Sequence, residues 1–189
     1  MTGHECERCA RGGALPQADV QAMVDRVNEV AIPAHFGGVL GKLSGAWVFA
    51  NRGGEIRNYL RIVDGGLVLT NVERAETVEQ LVFSTPSLSD MEKFLTYYFC
   101  DSLREDRRLP RLLVVSIPVT IDKAADGYTV VETEGIGYEL HRRGESVVRR
   151  GSDTDLVEFS HYVALTPEEI RASALDPEGK PHFMVDTRT

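Results

Sequence analysis

The stretch AWVFANRGGEIRNYLRIVDGGLVLTNV, Ala46–Val72, decides the fold. Short aromatic and β-branched runs are separated by Arg-Gly-Gly and Asp-Gly-Gly, and glycine there supplies the backbone angles that tight hairpins require. Ile56, Asn58 and Leu60 alternate with Arg57, Tyr59 and Arg61, which is the period of a strand, with apolar character on both faces. A further strand is expected over Val78–Phe83, completing an antiparallel meander.

Downstream, SLSDMEKFLTYYFCDSLRED (Ser87–Asp106) is the clearest helix. Leu88, Met91, Leu95, Tyr98, Phe99 and Ser102 recur at helical spacing, and Ser89 with Glu92 fits a capping box. Its aromatic side suits covering one face of the meander. Pro110 closes the segment, and LLVVSIPV reads as an edge or crossover strand interrupted by Pro118. After Asp126-Gly127, the runs GYTVVETEG, IGYELHRRG and ESVVRRG, with a glycine at each boundary, read as a second meander. Ser152–Asp155 resembles a helix N-cap, followed by Leu156, Phe159, Ser160 and Val163 on one stripe. Thr166-Pro-Glu-Glu169 starts a last short helix: threonine caps, Pro167 fits the first turn and Glu169 sits three residues on. The helix is expected to end before the Asp176–Pro181 turn, with a final strand over His182–Val185.

Upstream, Pro16–Val30 reads as an amphipathic helix with Val20, Val24 and Val27 on one face, a cap before the main domain. Pro33 and the glycines at 37, 38 and 41 interrupt any longer helix. The expectation is therefore one α+β domain over residues 16–189, mainly antiparallel β-meanders packed by interspersed helices, with residues 1–15 a flexible N-terminal extension.

Composition narrows the function. With 189 residues the chain can bury one sizeable core, and its 42% apolar content is too high for global disorder. A net charge of -8 opposes binding to nucleic acid or to an anionic membrane, while leaving an acidic face for a basic protein partner. The polar N-terminus holds no signal-like run, and no stretch approaches the roughly eighteen apolar residues of a membrane span, so a cytoplasmic protein is expected. Cys6 and Cys9 form a C-x-x-C pair with His4 and His35 nearby in sequence. Metal or redox use of that pair competes with a plain polar tail, because a structural zinc site needs four ligands. Cys100 lies in the apolar helical pattern and reads as a small buried side chain.

No arrangement compels catalysis. Ser160, His161 and Tyr162 look like a catalytic trio, yet adjacent helical residues point roughly 100° apart, so serine and histidine make a poor nucleophile and base. Tyr162 is expected to close the helix against the sheet with its hydroxyl as an outer anchor. GGVLGKLSG lacks the phosphate-loop order, since Leu43 follows Gly41-Lys42, and EGIGYEL lacks a third glycine; both read as turns. Glu132 and Glu134 lie two apart in a strand-like run, and Glu73, Glu76 and Glu79 form an acidic band around a turn. These carboxylates serve acid–base chemistry, a solvated face or a basic partner. Arg142, Arg143, Arg149 and Arg150 at strand ends form no nucleic-acid tract.

NRGGEIRNYL (Asn51–Leu60), MEKFLTYYF (Met91–Phe99) and LVEFSHYVALTPEEIRASALDPEGKPHFM (Leu156–Met184) together resemble, in order, the bacterial immunity-protein family of the mycobacterial immunity factors for tuberculosis necrotizing toxin. The resemblance spans most of the chain from Ala46 onward and omits the cysteine-bearing N-terminus. It implies a small antitoxin and not an enzyme: a one-to-one inhibitor of a secreted NAD glycohydrolase domain that blocks the NAD-binding cleft and needs no cofactor of its own. It identifies no contact residues. Exposed charged rims are the expected specificity determinants, with Glu73, Glu76 and Glu79 on one side and Arg104, Asp106 and Arg107 after the central helix on the other. The competing functions are a small enzyme using the acidic residues or His161, and a C-x-x-C metal-binding adaptor.

Overall fold

A computed structural model describes residues 15–41, 45–74, 76 and 78–186. The first meander comprises β1 (Gly37–Leu40), β2 (Trp47–Ala50), β3 (Ile56–Val63), β4 (Gly66–Glu73) and β5 (Gln80–Thr85), each pairing antiparallel with the next. Asp64 and Gly65 between β3 and β4 both have positive φ, 49° and 78°, as a two-residue hairpin turn matched to strand twist requires. The fifth strand starts two residues later than expected, because Val78 stays exposed in the connection. β1 was not expected at all. Gly38 makes it fit: a Cβ there would stand 2.3 Å from the Phe49 ring, so only glycine lets this edge strand lie over the aromatic core.

The second meander comprises β7 (Tyr128–Thr133), β8 (Gly137–Arg142) and β9 (Val148–Gly151). It is not separate from the first. β9 pairs with β5 through Phe83↔Gly151 and Ser84↔Arg150, giving one eight-stranded sheet in the order β1-β2-β3-β4-β5-β9-β8-β7. The expected strand at LLVVSIPV shrinks to β6 (Leu112–Leu113), which pairs with β10 (Met184–Val185) in a separate small ribbon.

Four helices are present among the described residues: α1 (Gln17–Ala31), α2 (Leu88–Asp106), α3 (Asp153–Tyr162) and α4 (Pro167–Leu175). Trp47, Phe49, Leu60, Leu69, Phe83 and Leu140 are buried on one face of the sheet, and α1, α2 and α3 pack there. Aromatic contacts bind the layers: Phe99 meets Phe49 at 5.0 Å between ring centroids, and Phe83 stacks on Phe94 at 4.3 Å. Phe159 of α3 meets Phe83 at 5.0 Å, so the aromatic cluster ties the first meander to the helix that packs on β7, β8 and β9. α1 belongs to this core and is no detached cap: Val20, Val24 and Val27 are buried, and the Trp47 indole donates to Gln21 at 2.8 Å. Asn28 fastens β1 by accepting from Gly38 N–H at 2.7 Å and donating to Gly38 O at 3.0 Å.

The cap of α2 also differs from expectation. Ser87 accepts from Asp90 N–H, while Glu92 is drawn across to α1, where both its oxygens take the Arg26 guanidinium at 2.6 and 2.7 Å. The caps of α3 and α4 are the expected ones, Ser152 for α3 and the full Thr166/Glu169 box for α4. At the junction of the meanders, Asp90 forms a buried ion pair with Arg149 at 2.7 Å.

Candidate functional site

Ser160, His161 and Tyr162 lie on three sides of α3. Tyr162 is wholly buried, stacked on Tyr97 with centroids 4.8 Å apart, and does not hold its hydroxyl at the outside. Ser160 is buried too: its hydroxyl donates to Val157 O at 2.6 Å and accepts from Ala125 N–H at 2.8 Å. His161 is exposed, and its Nε2 lies 2.8 Å from the Lys123 carbonyl, to which the ring donates. Neither side chain serves the other. Both grip the main chain of the connection between β6 and β7, residues 114–127.

That connection is ordered by further contacts of its own. Lys123 Nζ turns inward and donates to Ser116 O at 2.8 Å and to Pro118 O at 2.7 Å, closing the segment on itself around a 3-10 turn at Ile121–Lys123. Val114 is buried, and Val115, Val119 and Ala124 pack against the core. Ile117 and Ile121 point the other way, each 44% exposed. Asp122, fully exposed beside them, has its carboxyl held below the usual range by the Thr120 hydroxyl and by its own backbone. A buttressed loop therefore displays apolar side chains next to a carboxylate.

The expected charged rim is dispersed. Glu73 and Glu76 are exposed and share a turn, with Glu76 N–H donating to Glu73 O at 3.1 Å. Glu79 turns onto the sheet face opposite the helices, where Arg61 donates to it at 2.8 Å and Thr70 adds a hydroxyl, holding its carboxyl below the ordinary range. Asp106 pairs with His35 at 3.5 Å, and Arg107 is exposed at the C-cap of α2. Arg104 must be removed from the rim. It lies inside the last turns of α2, 1% exposed, and donates to the carbonyls of Pro110, Ala174, Asp176 and Pro177. A charge run at a helix end concealed a guanidinium that collects four backbone acceptors, two of them at the C-terminal end of α4, where a cation is favoured.

Other chemical candidates dissolve in the geometry. Glu134 sits in the turn between β7 and β8 while Glu132 lies in β7, so the two do not share a strand face. Gly37–Leu40 is a strand and Trp47–Ala50 another, and Lys42, Leu43 and Ser44 of the glycine-lysine stretch lie outside the described residues. A cleft between α1, α2 and α4 is lined by Arg26, Glu29, Glu92 and Arg171, but these charges pair across it, Arg26 with Glu92 and Arg171 with Glu29. Burial pushes the Glu158 carboxyl up to about 7, with Asp155 and Asp101 adding to the rise and Arg111 opposing it. Burial likewise pushes the Cys100 thiol up to about 12, consistent with an unreactive core residue. Among the described residues no group of three or more His, Cys, Asp or Glu is placed to hold a metal ion. The Cys6–Cys9 pair and His4 lie outside the described residues.

The helices thus cover one face of the sheet, and the 114–127 connection, held by Ser160, His161 and Lys123, leaves Ile117, Ile121 and Asp122 exposed. The chain belongs to the Immunity protein 61 (Imm61) family, which it matches over residues 33–182. Its relatives include the immunity factor for TNT of Mycobacterium tuberculosis (strain ATCC 25618 / H37Rv), 32% identical over 143 residues, covering 74% of this chain and 78% of that protein. The immunity factor for TNT homolog of Mycobacterium bovis (strain BCG / Pasteur 1173P2) matches to the same extent. A solved structure described as Rv3902c from M. tuberculosis superposes with a TM-score of 0.75 at 28% identity, over 85% of this chain and 92% of that one. No described helix is long and apolar enough to cross a membrane.

Proposed function

We propose that this immunity protein neutralises a cognate NAD-hydrolysing toxin domain in the cytoplasm by forming a one-to-one complex that shields the toxin's nucleotide cleft. It acts by binding alone: the toxin supplies the catalytic residues and binds NAD, while this chain supplies shape, charge and exclusion of the substrate. The observation that carries the reading is the 32% identity to an immunity factor for TNT across 74% of the chain. The dispersal of the acidic residues and the engagement of His161 with a backbone carbonyl support inhibition over catalysis. Glu73, Glu76, Asp106 and Arg107 remain the rim residues offered for partner contact, and Glu79 takes part only if its pairing with Arg61 is given up.

The test is to mix the purified chain with the toxin domain encoded beside its gene, then follow complex formation by gel filtration and NAD loss in the same samples. The expected result is a one-to-one complex with NAD consumption suppressed at equimolar ratio. Undiminished NAD loss with no complex would overturn the proposal.

A further inference from the structure

We propose that the seam between α2 and α3 is a cation site that takes an arginine side chain of the bound toxin, the guanidinium settling among the carboxylates of Asp101, Asp155 and Glu158 beside the Tyr97 and Tyr162 hydroxyls. The inference rests on the antitoxin reading only in taking the arginine from a toxin domain.

The two helices present matched stripes to each other. Phe94, Tyr97, Tyr98 and Asp101 recur at the i, i+3, i+4, i+7 spacing of one face of α2, and Asp155, Glu158, Phe159 and Tyr162 do the same on α3. Tyr97 stacks on Tyr162 at 4.8 Å and Phe94 meets Phe159 at 6.4 Å, so the stripes meet through aromatic rings. The three carboxylates, half-buried, lie close to those rings: the charges of Glu158, Asp101 and Asp155 all reach the Tyr97 hydroxyl, and those of Asp155 and Glu158 reach that of Tyr162.

These groups lack partners within the fold. Among the described residues, the carboxylates of Asp101 and Glu158 make no hydrogen bond or ion pair, and that of Asp155 is engaged by Ser152 alone. Tyr162, 1% exposed, leaves its hydroxyl without a hydrogen-bond partner among them, where a buried tyrosine ordinarily finds one. Burial pushes all three carboxyls up, and Arg111, whose charge opposes the rise at Asp101 and Glu158, pairs with neither. Like charges are thus held together without a countercharge, which is the state of a site that a guest completes. The carboxylates are not converged as a metal ion requires. A guanidinium suits them: it is flat and weakly hydrated, lies against aromatic rings and spreads five N–H donors over separated acceptors. The net charge of -8 draws a basic surface toward the chain in the first place.

The experiment uses the full chain and the toxin domain encoded beside its gene, with affinity measured by titration calorimetry and stability by thermal melts at pH 8. Glu158→Gln and Asp101→Asn are each expected to weaken binding by about 10-fold or more. Glu158→Gln is expected to raise the thermal midpoint in the same samples, because it removes an unpaired buried charge. Tighter folding with weaker binding is a pair of changes that a merely structural carboxylate does not produce. Glu134→Gln, which removes the same charge from an exposed turn, is expected to alter affinity by less than about 3-fold. Replacing the toxin's surface arginines by alanine one at a time should reveal one whose loss weakens wild-type binding but adds nothing further against Glu158→Gln. Wild-type affinity in both carboxylate variants, an equal loss in Glu134→Gln, or the absence of any such coupled arginine overturns the site while leaving the antitoxin reading intact. Failure of the wild-type chain to bind overturns both.

Discussion

Arg104 shows how a charged residue can be structural. Its guanidinium holds the Pro110 turn and the C-terminal end of α4 together through backbone carbonyls, a task that depends on a planar fork of donors. Arg104→Ala is expected to cost roughly 3 kcal/mol, because buried acceptors are left without donors. Arg104→Lys should recover only part of this, since an ammonium cannot match the fork, and urea denaturation measures both. Glu158 behaves in the opposite sense. Its folded pKa of about 7 lies above its ordinary value of 4.5, so its neutral form is the one the fold favours. The contribution is present below the unfolded value and is lost as pH rises through about 7. Glu158→Gln should therefore raise stability at pH 8 by about 1–3 kcal/mol and converge with wild type near pH 4, as read from thermal melts at the two pH values. A uniform shift at both would mean that burial of the charge is not the cause.

At the level of elements, periodicity carried far. The meanders around Asn51–Val72 and Tyr128–Gly151, the aromatic stripe of α2 and the caps of α3 and α4 were all legible, because each depends on neighbours a few residues away. β1 was not, since it depends on a contact between Gly38 and Phe49 that no local pattern encodes. Gly38→Ala should displace the Phe49 ring or the edge strand and cost about 2–3 kcal/mol, visible as a fall in thermal midpoint. Full wild-type stability would show that β1 can shift freely. The Ser89/Glu92 box failed for a related reason: Ser87, two residues earlier, caps the helix, and Glu92 finds an arginine on another helix. The strand expected over LLVVSIPV ends at Leu113, and the sequence alone does not reveal that Ile117, in that run, and Ile121 beyond it are exposed.

Across the whole molecule, the two meanders share one sheet, and the first is tied to α2 and α3 by Phe83, which touches both Phe94 and Phe159. Unfolding should accordingly be a single cooperative transition. Fluorescence of Trp47, the one tryptophan, reports the first meander, and far-ultraviolet circular dichroism reports both. Their denaturation midpoints should coincide; separate midpoints would mean that the halves are independent units. The candidate site was less legible than the fold for a reason of the same scale. Binding surfaces are defined by what remains exposed after packing: Arg104 is withdrawn from the rim by backbone acceptors far away in sequence, while Glu79 stays exposed but is paired with Arg61.

The clamp on the 114–127 loop has a consequence for how such proteins diversify. Ser160, His161 and Lys123 all hold main-chain atoms of that loop, and main-chain atoms are the same whatever side chain they carry. The outward residues can be exchanged without loosening the grip beneath them. Ile117, Ile121 and Asp122 can therefore change while the backbone that carries them keeps its place.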